Sequence, residues 1–295
     1  MKKTGAERIS WKFSRWVKRV SSDSISQSPL GKSSAYVATY TPSLLHSIPR
    51  DDARAGLRGM SDQLDFHGED VWNCYELSWL SPKGGPRGSV LRIRVPHSSG
   101  AIVESKSMKL YLNSFAQSRF ENTAEVQKTL DSDLLLAFRA PVMIELSEPG
   151  QMNQPPGGLP GECLDEMDVD VERYAVDETL LEAGDPDTRV NKTLHTHLFR
   201  SLCPVTGQPD WASVLIEYAG PRFKLPDLYR YLVSYREHPG FHEATIEQIY
   251  LDIRNQLAPT SLAVYGRFLR RGGIDINPYR ASNPGPAPDL RVARQ

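Results

Sequence analysis

The sequence predicts an α+β protein in which each half combines antiparallel strands with two inserted helices. Three observations predict it. Segments 88–95, 140–146, 190–202, 212–218 and 261–270 alternate or are rich in β-forming residues. Segments 123–138, 226–236 and 242–257 read as helices; in the last, Ile246, Ile249, Tyr250, Ile253 and Leu257 recur at helical spacing and face one side. The two halves also resemble each other at an offset of about 120 residues.

The repeat is carried by several matches in order. The turn Ser81-Pro82-Lys83-Gly84-Gly85-Pro86 precedes the strand Ser89–Ile93, and Cys203-Pro204-Val205-Thr206-Gly207-Gln208-Pro209 precedes Ser213–Glu217. Leu112-Asn113-Ser114-Phe115 has a counterpart in Leu232-Val233-Ser234-Tyr235, and Phe120-Glu121-Asn122 in Phe241-His242-Glu243. A duplicated domain is expected: a basic extension over 1–28, a first module over 29–147, a connection over 148–188 and a second module over 189–295. The connection opens on SEPGQMNQPPGGLPGE, too dense in Pro and Gly for a helix or strand interior, and then turns acidic. Within it, the alternation Asp168-Val169-Asp170-Val171 allows an edge strand whose charges would discourage edge pairing.

Composition excludes several function classes. The 295 residues suffice for about two ordinary domains. Lys plus Arg is 35 against 36 for Asp plus Glu, which gives no general attraction to nucleic acid or anionic lipid. No apolar run approaches the roughly 18 residues of a membrane-spanning helix. Three scattered cysteines make neither a disulfide framework nor a zinc site; they fit a reducing compartment, the cytoplasm, with room for one reactive thiol. The first 20 residues carry Lys2, Lys3, Arg8, Lys12, Arg15, Lys18 and Arg19 against Glu7 without the apolar stretch of a secretory signal, and read as a solvated extension. Gly31-Lys32-Ser33 imitates the end of a phosphate loop, but Ser26 stands where the first glycine is required.

Four clusters could carry chemistry. Cys203 ends a strand and enters a turn; a thiol there can meet a substrate, although a lone cysteine more commonly packs as a small hydrophobe. Asp210 can fold back across that turn. His242 and Glu243 open a helix after Pro239-Gly240. Glu243 is either a first-turn acid favoured by the helix dipole or, with His242, part of a pair that hydrogen-bonds a heterocycle. Between apolar flanks, Val103-Glu104-Ser105-Lys106 is either a solvated connection with an ion pair or a carboxylate for a guanine-like edge beside a cation for phosphate. Arg270-Arg271-Gly272-Gly273 is either a surface charge run or a place where guanidinium and backbone approach an anion closely. His195 and His197 share a strand face, but no third ligand is apparent, which favours a structural role.

In this order, Phe66-His67-Gly68, Tyr75-Glu76-Leu77-Ser78-Trp79-Leu80, the Glu-Ser-Lys-Ser-x-Lys-Leu stretch at 104–110, the Cys203 to Asp210 segment, Phe241-His242-Glu243 and the Arg-Arg-Gly-Gly run resemble the two-module form of the queuosine-pathway nitrile reductases, the NADPH-dependent 7-cyano-7-deazaguanine reductase family. The resemblance covers about residues 28–295. It implies tandem tunnelling-fold (T-fold) modules, antiparallel sheets with paired helices on one face, and a homodimer. It implies reduction of a deazaguanine nitrile to the aminomethyl group through a Cys203 thioimide and two hydride transfers from NADPH. Cys203 would be the nucleophile and Asp210 the proton donor. Val103, Glu104, Ser105, His242 and Glu243 would hold the substrate, and Ser105, Lys106, Arg271 and Gly272 the cofactor. No metal, membrane or direct nucleic-acid contact is implied. The rivals are a pterin-forming cyclohydrolase relative, for which no zinc set of Cys and His can be assembled, and a catalytically silent purine- or pterin-binding module, against which Cys203 and Asp210 speak.

Overall fold

The computed structural model describes residues 36–61, 64–150, 157–185 and 187–295. The expected basic extension over 1–28 lies outside the described residues, as does the beginning of the expected first module. In chain order the elements are β1 (Ser47–Pro49), α1 (Arg50–Arg54), β2 (His67–Leu80), β3 (Pro86–Pro96), β4 (Ala101–Val103), α2 (Ser105–Ser114), α3 (Thr123–Phe138), β5 (Met143–Ser147), β6 (Glu162–Cys163), β7 (Arg189–Leu202), β8 (Pro209–Pro221), α4 (Leu225–Ser234), α5 (His242–Leu257), β9 (Ser261–Phe268) and β10 (Ile274–Ala281). Among the described residues no helix is long and apolar enough to cross a membrane.

Eight strands form one sheet in the order β5-β3-β2-β10-β9-β8-β7-β6. It is antiparallel except for the short β6–β7 pair. The two halves of the chain meet where β10 pairs with β2, Ile276 opposite Trp72 and Arg280 opposite Gly68. Strand alternation then assigns the faces. Trp72, Ile276, Val264 and Ile216 point to the side that carries the helices, while Val71, Leu215 and Tyr265 point to the other and pack with Leu159, Ala287 and Val292. On the helix side there are two cores. One joins Trp72, Leu91 and Ile93 to Met108, Tyr111, Leu130 and Phe138; the other joins Ile216 and Val264 to Leu228, Ile246, Ile249 and Ile253. The five apolar residues expected on one face of the last helix are all buried.

Helices α2 and α3 start where side chains satisfy orphan backbone donors. At α3, Asn122 Oδ1 accepts from the Glu125 amide at 3.0 Å, and Glu125 Oε2 accepts from the Glu121 amide just before the cap at 2.7 Å. The observed α3 and α5 coincide with the expected 123–138 and 242–257.

Apart from the short β4, the order β2, β3, α2, α3, β5 recurs as β7, β8, α4, α5, β9. β2 and β7 each carry a register irregularity, at Cys74/Leu77 and at Thr196/Phe199. Buried Ser114 and Ser234 each donate to the carbonyl three residues before, at 2.6 Å. The match of Phe120-Glu121-Asn122 with Phe241-His242-Glu243 needs correction: Asn122 and Phe241 are both helix N-caps, so the structural partner of Glu243 is Ala124. Residues 168–171 form no strand. Their place at the sheet edge is taken by Glu162–Cys163 beside β7, and the Asp170 carbonyl instead accepts from Arg230. The start of β5 is displaced from 140 to Met143, because Arg139 is left-handed and Pro141 has no amide to donate.

Candidate active site

A cavity of about 210 Å³ opens where the N-termini of α2 and α5, the end of β7 and the β9–β10 hairpin converge. Val103, Glu104, Ser105 and Lys106 line it from the first half; Cys203, Asp210, His242, Glu243 and Arg271 line it from the second. The structure thus brings together every expected site residue except Gly272, which sits in the hairpin beside Arg271 and does not line the wall.

Glu104 is the N-cap of α2. Its Oε1 accepts from the Lys106 amide at 2.5 Å and its Oε2 from the Ser107 amide at 2.9 Å. A carboxylate has about four lone-pair positions, so this buried group keeps acceptor capacity for a ligand. The helix that starts at Ser105 explains why Glu104 is held rigidly.

Cys203 is fixed by the turn it opens. Its amide donates to Gln208 O at 2.8 Å and its carbonyl accepts from the Gly207 amide at 3.0 Å. Gly207 has φ +67°, a left-handed conformation that glycine adopts without strain. The equivalent turn in the first half has Ser81 donating to Gly85 O and accepting from Gly84, so the first half carries a hydroxyl where the second carries a thiol.

Asp210 is nearly buried between the Arg271 guanidinium and the His242 ring. Arg271 Nη2 lies 2.8 Å from Oδ1 and His242 Nε2 lies 3.5 Å from Oδ2. Burial pushes the carboxyl up, but the His242 hydrogen bond and the charges of His242, Arg271 and Lys109 outweigh it and hold Asp210 below the usual carboxylate range. The His242 ring stacks on Phe268 at 3.8 Å and 5°, while its Nδ1 is buried with no hydrogen-bond partner. A buried polar atom left without a partner costs about 1–3 kcal/mol. Glu243 is the opposite of Asp210: burial raises it, the Asp70 charge adds to that, and His242 and Arg50 oppose without prevailing.

Lys109, to which the sequence gives no role, also lines the cavity. Burial lowers its proton affinity, the Glu104 charge opposes this, and Arg271, Asp210 and Cys203 also act on it. Its signal was its position four residues after Ser105, which puts both on one face of a helix. A Cβ on Gly272 would stand 3.1 Å from the Lys109 Cδ, and Gly272 has φ +58°, so glycine lets the hairpin close on the lysine. His195 and His197 take no part: their Nδ1 atoms lie 3.0 Å from Pro160 O and 2.8 Å from Ser213 Oγ. Among the described residues no group of three or more His, Cys, Asp or Glu is arranged to hold a metal ion.

A buried cysteine, paired carboxylates and a row of cations define an enzyme-like cavity on an α+β frame. Two family models match the chain. Residues 36–146 match the N-terminal part of nitrile reductase, 7-cyano-7-deazaguanine reductase, and residues 209–285 match the QueF-like protein family. The chain is 48% identical over 274 residues to the NADPH-dependent 7-cyano-7-deazaguanine reductase of Burkholderia ambifaria, covering 91% of this chain and 98% of the relative. It is likewise 48% identical to the protein of that name from Chromohalobacter salexigens, covering 92% and 98%. The chain belongs to the NADPH-dependent 7-cyano-7-deazaguanine reductase family. Among solved structures, the apo archaeosine synthase QueF-Like covers 35% of this chain at a TM-score of 0.27 and 17% identity, a likeness too remote to bear on fold or function.

Proposed function

We propose that this cavity reduces the nitrile of 7-cyano-7-deazaguanine to the primary amine of 7-aminomethyl-7-deazaguanine, with NADPH, in tRNA queuosine biosynthesis. The observation that carries the reading is the convergence of Cys203, Asp210, His242 and Glu243 from one half with Glu104 from the other on a single cavity. The relatives' names favour this reading over a silent purine- or pterin-binding module or a cyclohydrolase relative.

A nitrile carbon is a poor electrophile and needs activation. Cys203 Sγ adds to it, forming a C–S bond, while the nitrile nitrogen takes a proton to give a thioimide. Asp210, held as a carboxylate, accepts the thiol proton and passes it to that nitrogen, so the addition consumes nothing else. When bound, NADPH supplies one hydride per equivalent, and nitrile to amine requires two hydrides and two protons. Lys106, Lys109 and Arg271 fit the cofactor's phosphates, because they set cationic donors on the same wall and Lys109 is already partly desolvated. Expulsion of the Cys203 thiolate regenerates the nucleophile after the first reduction. Glu104 and Glu243 accept from the N–H groups of the guanine-like edge, with the His242 ring beside them. The same reading takes the protein as tandem T-fold modules, 29–147 and 189–295, joined by 148–188, acting as a cytoplasmic homodimer.

Replacing Cys203 by Ala tests the assignment. NADPH oxidation should fall below detection while purine binding and the melting temperature persist, and the wild type should consume two NADPH per amine formed. Retained turnover in Cys203→Ala would overturn the mechanism.

A further inference from the structure

We propose that Arg271 is shared: its guanidinium holds the Asp210 carboxylate and is drawn off by the phosphate of a bound dinucleotide, so that cofactor and carboxylate compete for one cation. The proposal rests on the nitrile reductase reading above. Arg271 Nη2 lies 2.8 Å from Asp210 Oδ1 and also donates to Pro209 O, while Nη1 lies 3.2 Å from Gln208 Oε1. The side chain straddles the boundary of the site. It is 31% exposed, whereas Asp210 is 6% exposed. Its backbone is pinned by the hairpin, with the Arg271 amide donating to Ile274 O at 2.8 Å and the Ile274 amide returning to Arg271 O at 3.2 Å. Only the side chain is therefore free to change partners. A guanidinium in contact with carboxylate can serve a phosphate through the same N–H groups.

Three side chains act on Asp210, each from a different element: His242 from α5, Arg271 from the hairpin and Lys109 from α2. Together they hold its carboxyl below the usual range against the pull of burial. Losing Arg271 to a phosphate removes one of them and raises the proton affinity of Asp210. The consequence for the reaction is directional. Without cofactor, Asp210 is a base that moves the Cys203 proton to the nitrile nitrogen; with cofactor, it takes up a second proton from solvent and holds it for the nitrogen during reduction. Linkage makes the effect reciprocal, so neutralising Asp210 must tighten cofactor binding.

The test is a double-substitution cycle read by NADP+ binding, which needs no turnover, at low ionic strength so that weak binders stay within range. Titrating wild type, Asp210→Asn, Arg271→Gln and the double variant with NADP+, Asp210→Asn should lower Kd about tenfold, the equivalent of one charge-assisted contact released. In the Arg271→Gln background the same change should alter Kd less than about twofold. An equal gain in both backgrounds would mean a diffuse field rather than a shared guanidinium and would overturn the proposal, as would no gain in Asp210→Asn. Unchanged affinity in Arg271→Gln would also overturn it. A folded wild type that does not bind NADP+ at any concentration would instead sink the cofactor reading on which the proposal stands.

Discussion

Three carboxyl groups line the same cavity, and their surroundings push two of them apart. Asp210 is held ionised by its cationic neighbours, while Glu243 is raised by burial and by Asp70. A carboxyl whose proton affinity is raised by folding contributes stability below its unfolded value, and that contribution is lost as pH rises through the folded value. Glu243→Gln removes this loss. The variant should therefore melt above the wild type at pH 7 to 8, by about 2–4 °C for each kcal/mol gained. The gap should close as pH falls toward the ordinary carboxylate range, while purine affinity drops at every pH. Thermal melts across that pH range check it. The identities of Cys203, Asp210, His242 and Glu243 were legible in the sequence because turns and a helix start expose short motifs. The ionisation of Glu243 was not, because it depends on Asp70 and Arg50, which come from β2 and α1, far away in the chain.

Among the elements, the hairpin between β9 and β10 and the first turn of α2 do most to shape the cavity. Gly272 is required twice, by its left-handed φ and by the approach to Lys109. Gly272→Ala should cost about 1 kcal/mol in stability and weaken NADP+ binding several-fold. Addition of the nitrile to Cys203 in the absence of cofactor should stay unchanged. A denaturant melt and an NADP+ titration separate these effects. Helices α3 and α5 were legible because their apolar residues repeat cleanly at helical spacing. Helix α2 was not, because Ser105, Lys106, Ser107 and Lys109 mask the buried set Met108, Tyr111 and Leu112. Strand β10 was missed for a related reason. Asp275, Asn277 and Arg280 read as loop residues, yet all are buried: Asp275 accepts from Asn73 and Tyr75, and Asn277 donates to Val71 O.

The whole molecule is joined at the seam between β10 and β2, and behind the cavity that seam is ionic. Asp70 pairs with Arg50 and Arg280 at 2.8 Å each, and Glu247 pairs with Arg54 and Arg280 at 2.7 Å each, all buried. Glu247 lies one helical turn beyond Glu243 on α5, so this cluster sits beneath that wall of the cavity. Breaking a buried pair leaves uncompensated charge. Glu247→Ala should destabilise by about 3–5 kcal/mol and loosen purine binding with it, as a denaturant titration would show. No sequence pattern announced the cluster, since Arg54 and Glu247 are 193 positions apart. The likeness of the two halves was legible in short matches, and the cavity draws on both: Glu104 comes from the first half, where Ser81 occupies the turn that Cys203 holds in the second.

The most direct test of this account is the intact mass of the folded protein after adding 7-cyano-7-deazaguanine without NADPH, with Cys203→Ala alongside. The account predicts a gain equal to the whole ligand in the wild type alone, because addition to a nitrile expels nothing, and loss of that gain when NADPH is supplied. No gain in folded wild type with a reduced Cys203, or an equal gain in Cys203→Ala, would contradict it.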